Sequence, residues 1–275
     1  MAELLTVTDP DDPRVVDYTA LKDTELRKRY ENERGVFIAE GPNVVAELLA
    51  SPYPVKSLLL TPQRAEELAS ALARLDAPVF VGERDVLEAI VRFRMAQGAV
   101  GCGHRVAPRT VDDVLAAGGS AGPTVVAVLE EMNDHENMGS LFRSARGLGV
   151  AGVLVGPRSA DPLYRRCVRV SMGHVLHVPW ATCGPMEEVV PRLSASGWTT
   201  VALTPAAGAV DLRGVSGSLA PDARVALLLG AEGPGLSDET LAAADVRAAI
   251  PMAGGVDSLN VSVAGAIAFA LLAGR

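Results

Sequence analysis

The chain has 275 residues, 49% of them apolar and 21% charged, and carries a net charge of −8. This leaves room for one large domain or two ordinary ones and excludes global disorder. The negative balance excludes indiscriminate attraction to nucleic acid. Residues 1–13, with Pro10 and Pro13 among aspartates, read as a loose leader, and 17–34 as a charged helix. FIAEG (37–41) reads as a short strand, and PNVVAELLAS as a helix with Pro42 in its first turn. KSLLLT (56–61) is a strand, PQRAEELASALARL (62–75) a helix with apolar spacing near 3.6, and PVFVG (78–82) a strand. A helix in ERDVLEAIV and an extended AVGCGHRV complete a small α/β domain, placed at 1–108. APRTVDDVLAAGGSAGP holds a short helical pattern and then a Gly/Ser/Pro cluster, so a linker is expected at 109–122.

From 123 onward the alternation strengthens. Strands are expected at 124–131, 152–156, 174–181, 199–204, 224–230 and 246–250, most of them continuous apolar runs. Such runs belong to a parallel sheet covered on both faces. Helices are expected at 139–148, 162–172, 185–196 and 237–244, with a last one at about 259–273. The pattern predicts a doubly wound α/β domain over 123–275.

Three widely spaced cysteines, Cys102, Cys167 and Cys183, argue against a disulfide framework or structural zinc. His174 and His177 stand three apart without a carboxylate or cysteine in ligand spacing, so no metal is expected. The opening MAELLTVTDPDDP lacks the apolar core of a signal peptide. The most apolar stretch, 261–273, falls short of the ~20 residues that cross a bilayer. A soluble cytoplasmic protein is expected.

Three segments follow strand ends, where open α/β sheets bind ligands. In NDHENMGSLFRSARGLG, Asn137 is expected to cap a helix and Gly139 to let the backbone approach a ligand. Arg143 follows about 1.7 turns after Asn137, with Arg146 on the same face. In GAEGPGLS, the glycines at 230, 233 and 235 have G-x-x-G-x-G spacing, unlike a dinucleotide fingerprint. Glu232 there opposes a pyrophosphate but tolerates a ligand bearing an ammonium and a sulfonium, or one offering hydroxyls. In PMAGGVDSLNVSVAGAIAFA, Ser258 is expected near an N-cap, with Asn260 and Ser262 in the first turn. Gly265, Ala266 and Ala268 then permit close approach by another element. Between Arg143 and Arg169 six arginines face one acid, Asp161, a local basic patch able to track phosphates.

The ordered motifs N-x-G-x-x-x-R-x-A (Asn137–Ala145), L-x-G-x-E-G-x-G (Leu228–Gly235) and I-P-M…S-L-N-V-S-x-A (Ile250–Ala264) carry a resemblance over about 123–275. The chain resembles the SpoU/TrmH family of S-adenosylmethionine-dependent RNA ribose 2′-O-methyltransferases, in the SPOUT superfamily. On FIAEGPNVVAELL and the order of elements, the first half is similar to the ribosomal-protein-like RNA-binding domain of members that modify ribosomal RNA, the thiostrepton-resistance enzymes among them.

The resemblance implies a deep trefoil knot in the catalytic domain, a bent S-adenosylmethionine and a homodimer with helices 139–148 and 261–273 near its contact. It implies Asn137, Arg143, Glu232, Ser258 and Asn260 as catalytic residues. Thr204, Gly230, Glu232, Gly233, Ile250, Met252, Leu259 and Asn260 become cofactor contacts. Arg146, Arg165, Arg166 and Arg169, with Arg27, Lys28 and Arg29 of the first domain, become the RNA-tracking surface. Arg143 is expected to clamp phosphate and stabilise a developing alkoxide; a guanidinium pKa above ~12 makes a general-base role demanding. Large-subunit ribosomal RNA is the expected target. A transfer-RNA 2′-O-methyltransferase, or a nonenzymatic RNA-binding protein retaining the fold, stays open. His135 stands where many relatives have proline, and Met138 where a smaller aliphatic is common.

Overall fold

A computed structural model of the protein describes residues 2–19, 21, 24–95, 97–117 and 123–273, and of 24–28 the backbone only. In chain order the elements begin with β1 (Leu4–Thr6), α1 (Thr24–Arg34), β2 (Val36–Glu40), α2 (Pro42–Ala50), β3 (Val55–Leu60), α3 (Pro62–Glu67), α4 (Ala69–Leu72), β4 (Val79–Val81), α5 (Arg84–Val91) and β5 (Ala99–His104). They continue with α6 (Val111–Ala116), β6 (Thr124–Leu129), α7 (His135–Leu148), β7 (Gly152–Val155), α8 (Arg165–Val170), β8 (Trp180–Thr182), α9 (Met186–Ala195) and β9 (Thr199–Leu203). The last are β10 (Val210–Asp211), α10 (Leu212–Ser218), β11 (Arg224–Leu229), α11 (Asp238–Ala243), β12 (Val246–Ala249) and α12 (Val261–Leu272). The chain forms two compact units, one of residues 1–107 with 163–177, the other of 108–162 with 178–275.

The first unit holds a five-stranded mixed sheet in the order β1-β4-β3-β5-β2. Strands β1, β4 and β3 run parallel, and β5 runs antiparallel to β3 and β2. The loose leader expected at 1–13 is corrected: Leu4–Thr6 pairs with Val79–Val81, and the Val7 amide donates to the Val81 carbonyl at 2.8 Å. Three residues are too few to show a strand period, so only the partner strand reveals it. The charged helix expected at 17–34 begins at Thr24; Pro13–Tyr18 forms a 3-10 helix instead.

The second unit is built on a seven-stranded sheet in the order β10-β12-β9-β11-β6-β7-β8, with every neighbouring pair parallel. Val125–Leu129 and Val225–Leu229 are buried along their whole lengths, as strands covered on both faces must be. Helix α6 lies inside the stretch expected as linker, and its Val114 is buried in this unit's core; residues 118–122 lie outside the described residues. The strand expected at 174–181 is corrected to a 3-10 turn at His174–Leu176 and a strand only at Trp180–Thr182. Met172 and Gly173 take positive φ of 55° and 83° just before it, which turns the chain, and Pro179 has no amide to give a ladder. Strand β10 and helix α10 were not anticipated from the sequence.

Candidate active site

All seven strands of the second unit run one way, so their carboxyl ends share a rim. The strands β12, β9, β11 and β6 are neighbours, which brings the loops after β6, β11 and β12 together. Helix α7 opens at this rim. Its N-cap is Asp134, not Asn137 as the spacing suggested: the Asp134 carboxylate accepts from the amides of Glu136 and Asn137, both at 2.8 Å. The helix therefore starts at His135, and the Asn137 side chain is released from capping.

That side chain instead joins the three motifs. Asn137 Nδ2 donates to Glu232 Oε2 at 2.8 Å, and Asn137 Oδ1 accepts from Asn260 Nδ2 at 2.9 Å. Asn260 Oδ1 accepts in turn from the Ser262 amide at 2.9 Å and from Ser262 Oγ at 2.6 Å. Asn260, not Ser258, is thus the cap of α12: the helix begins at Val261, which places Ser258 in the exposed loop before it. Asn137 is only 6% exposed, so both ends of its amide need partners, and the two other motifs supply them.

Arg143 lies on the opposite side of the same helix. At about 100° per residue, it sits about 100–160° round the axis from the buried Met138, Leu141, Phe142 and Ala145. It is exposed, as is Arg146, and neither has a hydrogen-bond or ion-pair partner among the described residues.

The loop after β11 is shaped by its glycines. A Cβ on Gly230 would stand 2.2 to 2.3 Å from the backbone of Gly235 and Leu236, so only glycine permits this fold-back. The Gly235 amide closes it onto the Ala231 carbonyl at 3.0 Å. Beyond the loop, a residue that sequence reasoning missed fastens its far end. Glu130, at the end of β6 and only 8% exposed, accepts from Ser237 Oγ at 2.7 Å, the Ser237 amide at 3.2 Å and Thr240 Oγ1 at 3.0 Å. The sequence signal was a glutamate directly after five apolar residues, which reads equally well as a solvated strand end.

Against these loops lies a cavity of about 370 Å³ whose lining includes Thr204, Gly230, Glu232, Gly233, Ile250, Met252, Leu259 and Asn260, the eight residues expected to contact a cofactor. Ser258 lines it too; Arg143 does not. The walls are otherwise largely aliphatic, from Leu203, Leu229 and Val261, and Glu232 is the one charged residue in the lining. An apolar slot with one carboxylate and several glycine backbones suits a ligand that is flat in part and cationic in part, which fits S-adenosylmethionine.

Of the expected RNA-tracking residues, Arg146 belongs to the second unit and the others to the first. Arg165 faces Glu40 at 3.6 Å and sits over the Phe93 ring at 5.3 Å; burial pulls its pKa below the usual guanidinium value, against the pull of Glu40. Arg169 faces the same Glu40 at 3.4 Å, and Arg166 is exposed. Arg29 pairs with Glu33 at 2.8 Å on the exposed face of α1, while the side chains of Arg27 and Lys28 lie outside the described residues. His177 Nε2 meets Glu47 Oε2 at 2.7 Å.

Residues 124–270 match the SpoU rRNA Methylase family. An uncharacterized tRNA/rRNA methyltransferase of Mycobacterium bovis is 43% identical over 96% of this chain and 89% of its own length. Among solved structures, an rRNA methyltransferase from Sinorhizobium meliloti with bound AdoMet is 28% identical, with a TM-score of 0.79 over 98% of this chain and 97% of that one. The SpoU methyltransferase AviRb from Streptomyces viridochromogenes, in complex with AdoMet, shares the fold at 23% identity, with a TM-score of 0.76 over 95% and 97% of the two chains. The motif order, the joined loops and these likenesses agree: the chain belongs to the SpoU/TrmH family of S-adenosylmethionine-dependent RNA methyltransferases.

Proposed function

We propose that the chain methylates a ribose 2′-hydroxyl of large-subunit ribosomal RNA, as a homodimer. The observation that carries this reading is the chain of hydrogen bonds from Glu232 through Asn137 to Asn260, whose two outer members line the cavity. It holds three loops as one surface. Thr204, Gly230, Gly233, Ile250, Met252 and Leu259 would hold the donor, largely through backbone and aliphatic contact, and Glu232 would answer its positive charge. When bound, S-adenosylmethionine supplies an electrophilic methyl group on a sulfonium.

The nucleophile is a poor one, because an alcohol is scarcely ionised at neutral pH. Arg143 is suited to answer this. Exposed and unpaired among the described residues, it can clamp a phosphate and stabilise the alkoxide as the hydroxyl proton leaves. Such stabilisation reaches about 3–4 kcal/mol once bound RNA excludes water from around the guanidinium. Arg143 stands outside the cavity lining, exposed on α7 about 9 Å along the helix axis from Asn137 at 1.5 Å per residue.

One further feature supports the reading. Helix α12 is apolar around most of its circumference, with Val263 49% exposed, as a face awaiting a second copy would be. The trefoil knot that the resemblance implies is included in the proposal. The ribosomal target rests on the matched family and on the enzyme from S. meliloti.

The test is to incubate the purified protein with S-adenosylmethionine labelled in its methyl group and with ribosomal and transfer RNA, then hydrolyse the RNA in alkali. A 2′-O-methyl group blocks cleavage, so label in a resistant dinucleotide from large-subunit RNA is expected. Label released in mononucleotides means base methylation and refutes the proposal; label in transfer RNA alone moves the target.

A further inference from the structure

The first unit contains a second cavity, of about 330 Å³, between the start of α2 and the loop that joins α5 to β5. Glu40, Asn43, Phe93, Arg94, Gln97 and Arg169 contribute to its lining. We propose that this cavity receives a single unstacked nucleotide of the RNA substrate, distinct from the nucleotide that is methylated. The proposal rests on the reading of the chain as an RNA methyltransferase.

The chemistry of the lining selects the ligand. Phe93 offers an aromatic surface, and a guanidinium, that of Arg165, already lies over the ring at 5.3 Å. Splayed bases of single-stranded RNA stack on such planes. The side-chain amides of Asn43 and Gln97 have no hydrogen-bond partner among the described residues. Each presents a donor and an acceptor, the pairing a base edge requires. Arg94 is exposed and unpaired among the described residues, a charge available to a phosphate, as is its neighbour Arg92. Glu40 is already engaged by Arg165 and Arg169, so it does not present an unbalanced negative charge to an anionic polymer.

The rim is also built rather than loose. The Met95 carbonyl accepts from Arg84 Nη1 at 2.6 Å, and its amide donates to Glu88 Oε1 at 2.9 Å. The Gln97 carbonyl accepts from Arg64 Nε at 2.9 Å. Gly41, which lines the opposite wall, takes φ of 102°, and a Cβ there would stand 2.9 Å from Gln97 Oε1. A side chain at that position would fill the slot. Three side-chain anchors on one short loop, facing a glycine that keeps the slot open, are what a preorganised binding site needs.

The test uses the full chain bound to a large-subunit ribosomal RNA transcript, cross-linked with ultraviolet light and mapped by mass spectrometry. A nucleotide attached within 93–97 is expected. Phe93→Ala and Arg94→Ala should each weaken RNA binding about 10-fold, the scale of one stacked base or one phosphate contact. Affinity for S-adenosylmethionine should stay within about twofold in both, a readout that also shows the variants are folded. Arg94 is on the surface, so its variant carries the test if the Phe93 variant misfolds. Cross-links elsewhere, with wild-type binding in Arg94→Ala, overturn this inference and leave the methyltransferase reading standing. Displacement of the RNA by free nucleoside monophosphate at micromolar concentration overturns it too, by making the cavity a mononucleotide site. A wild-type chain that neither binds nor methylates RNA overturns both.

Discussion

The Asn137 side chain makes two hydrogen bonds and both leave its own helix: it donates to Glu232 and accepts from Asn260. Losing this buried carboxamide breaks two hydrogen bonds whose other partners are exposed to water, a net cost of about 0.5–1.5 kcal/mol for each bond. Asn137→Ala should therefore lower affinity for S-adenosylmethionine about 10-fold and lower the unfolding free energy by about 1–3 kcal/mol, measured by calorimetry and urea unfolding. Unchanged affinity would show that the cavity does not need the three loops joined. Glu130 acts one step further out, by holding Ser237 and Thr240 at the end of the Gly230 loop. Glu130→Gln keeps the shape but removes the charge and one acceptor, because its amide nitrogen cannot accept from the donors on that side. It should weaken donor binding several-fold while leaving the fold and the maximal rate with saturating donor close to wild type, a separation that a binding isotherm and a rate curve resolve. At this scale the sequence was informative where residues sit in a motif: Asn137, Arg143, Glu232 and Asn260 were visible as candidates, and three of the four prove to be hydrogen-bonded in one chain. The capping roles were misread because Asp, Asn and Ser all cap well, and a run such as NDHEN or DSLN offers several in succession. Glu130 was missed because its partners lie more than a hundred residues away.

Helices α7 and α12 meet where Gly265 allows it. A Cβ there would stand 2.5 Å from Leu141 Cδ2, the movable tip of a flexible side chain. At Gly230 the obstruction is backbone, which cannot step aside. Gly265→Ala should thus cost about 1–3 kcal/mol and leave a folded protein, whereas Gly230→Ala should abolish donor binding and leave little soluble protein. Urea unfolding and expression yield distinguish the two; equal effects would contradict the close passage at Gly230. The same elements show what pattern alone can supply. Long apolar runs such as 224–230 were read correctly as strands because a strand covered on both faces has no polar side to confuse it. The stretch 174–181 looked similar, yet two successive positive-φ residues before it and a proline within it confine the strand to its end, from Trp180. Short pieces, β1 and β10, carry too few residues to show any period.

The second unit as a whole keeps its functional rim and its opposite edge apart. At the far end, the Asp245 carboxylate accepts from the Thr200 amide at 2.8 Å, Thr200 Oγ1 at 2.7 Å and Ser194 Oγ at 3.0 Å, binding β12 to β9 and α9. Burial pushes its pKa up, but these bonds outweigh it and hold the group below its ordinary value of 3.8. A depressed carboxylate stabilises the fold above the unfolded pKa, and that stability is lost as pH falls through the folded value. Between about pH 5 and pH 2.5 the wild type should lose stability more steeply than Asp245→Asn, so that the gap between them narrows in acid. Parallel curves would remove Asp245 from the acid response. The α/β class and the parallel sheet were legible from alternating apolar runs and glycine-marked strand ends. The grouping of 163–177 with the first unit was not, because nothing in its composition names its neighbours.

In the proposed reaction the joined loops hold the methyl donor while Arg143, outside the cavity, serves the attacking hydroxyl. Methyl transfer to ribosomal RNA and binding of S-adenosylmethionine, measured on the same preparation of Arg143→Ala, test it directly. Turnover is expected to fall by about 10²–10³ with donor affinity within about twofold of wild type. Turnover at the wild-type rate, or loss of donor binding in step with turnover, would contradict it.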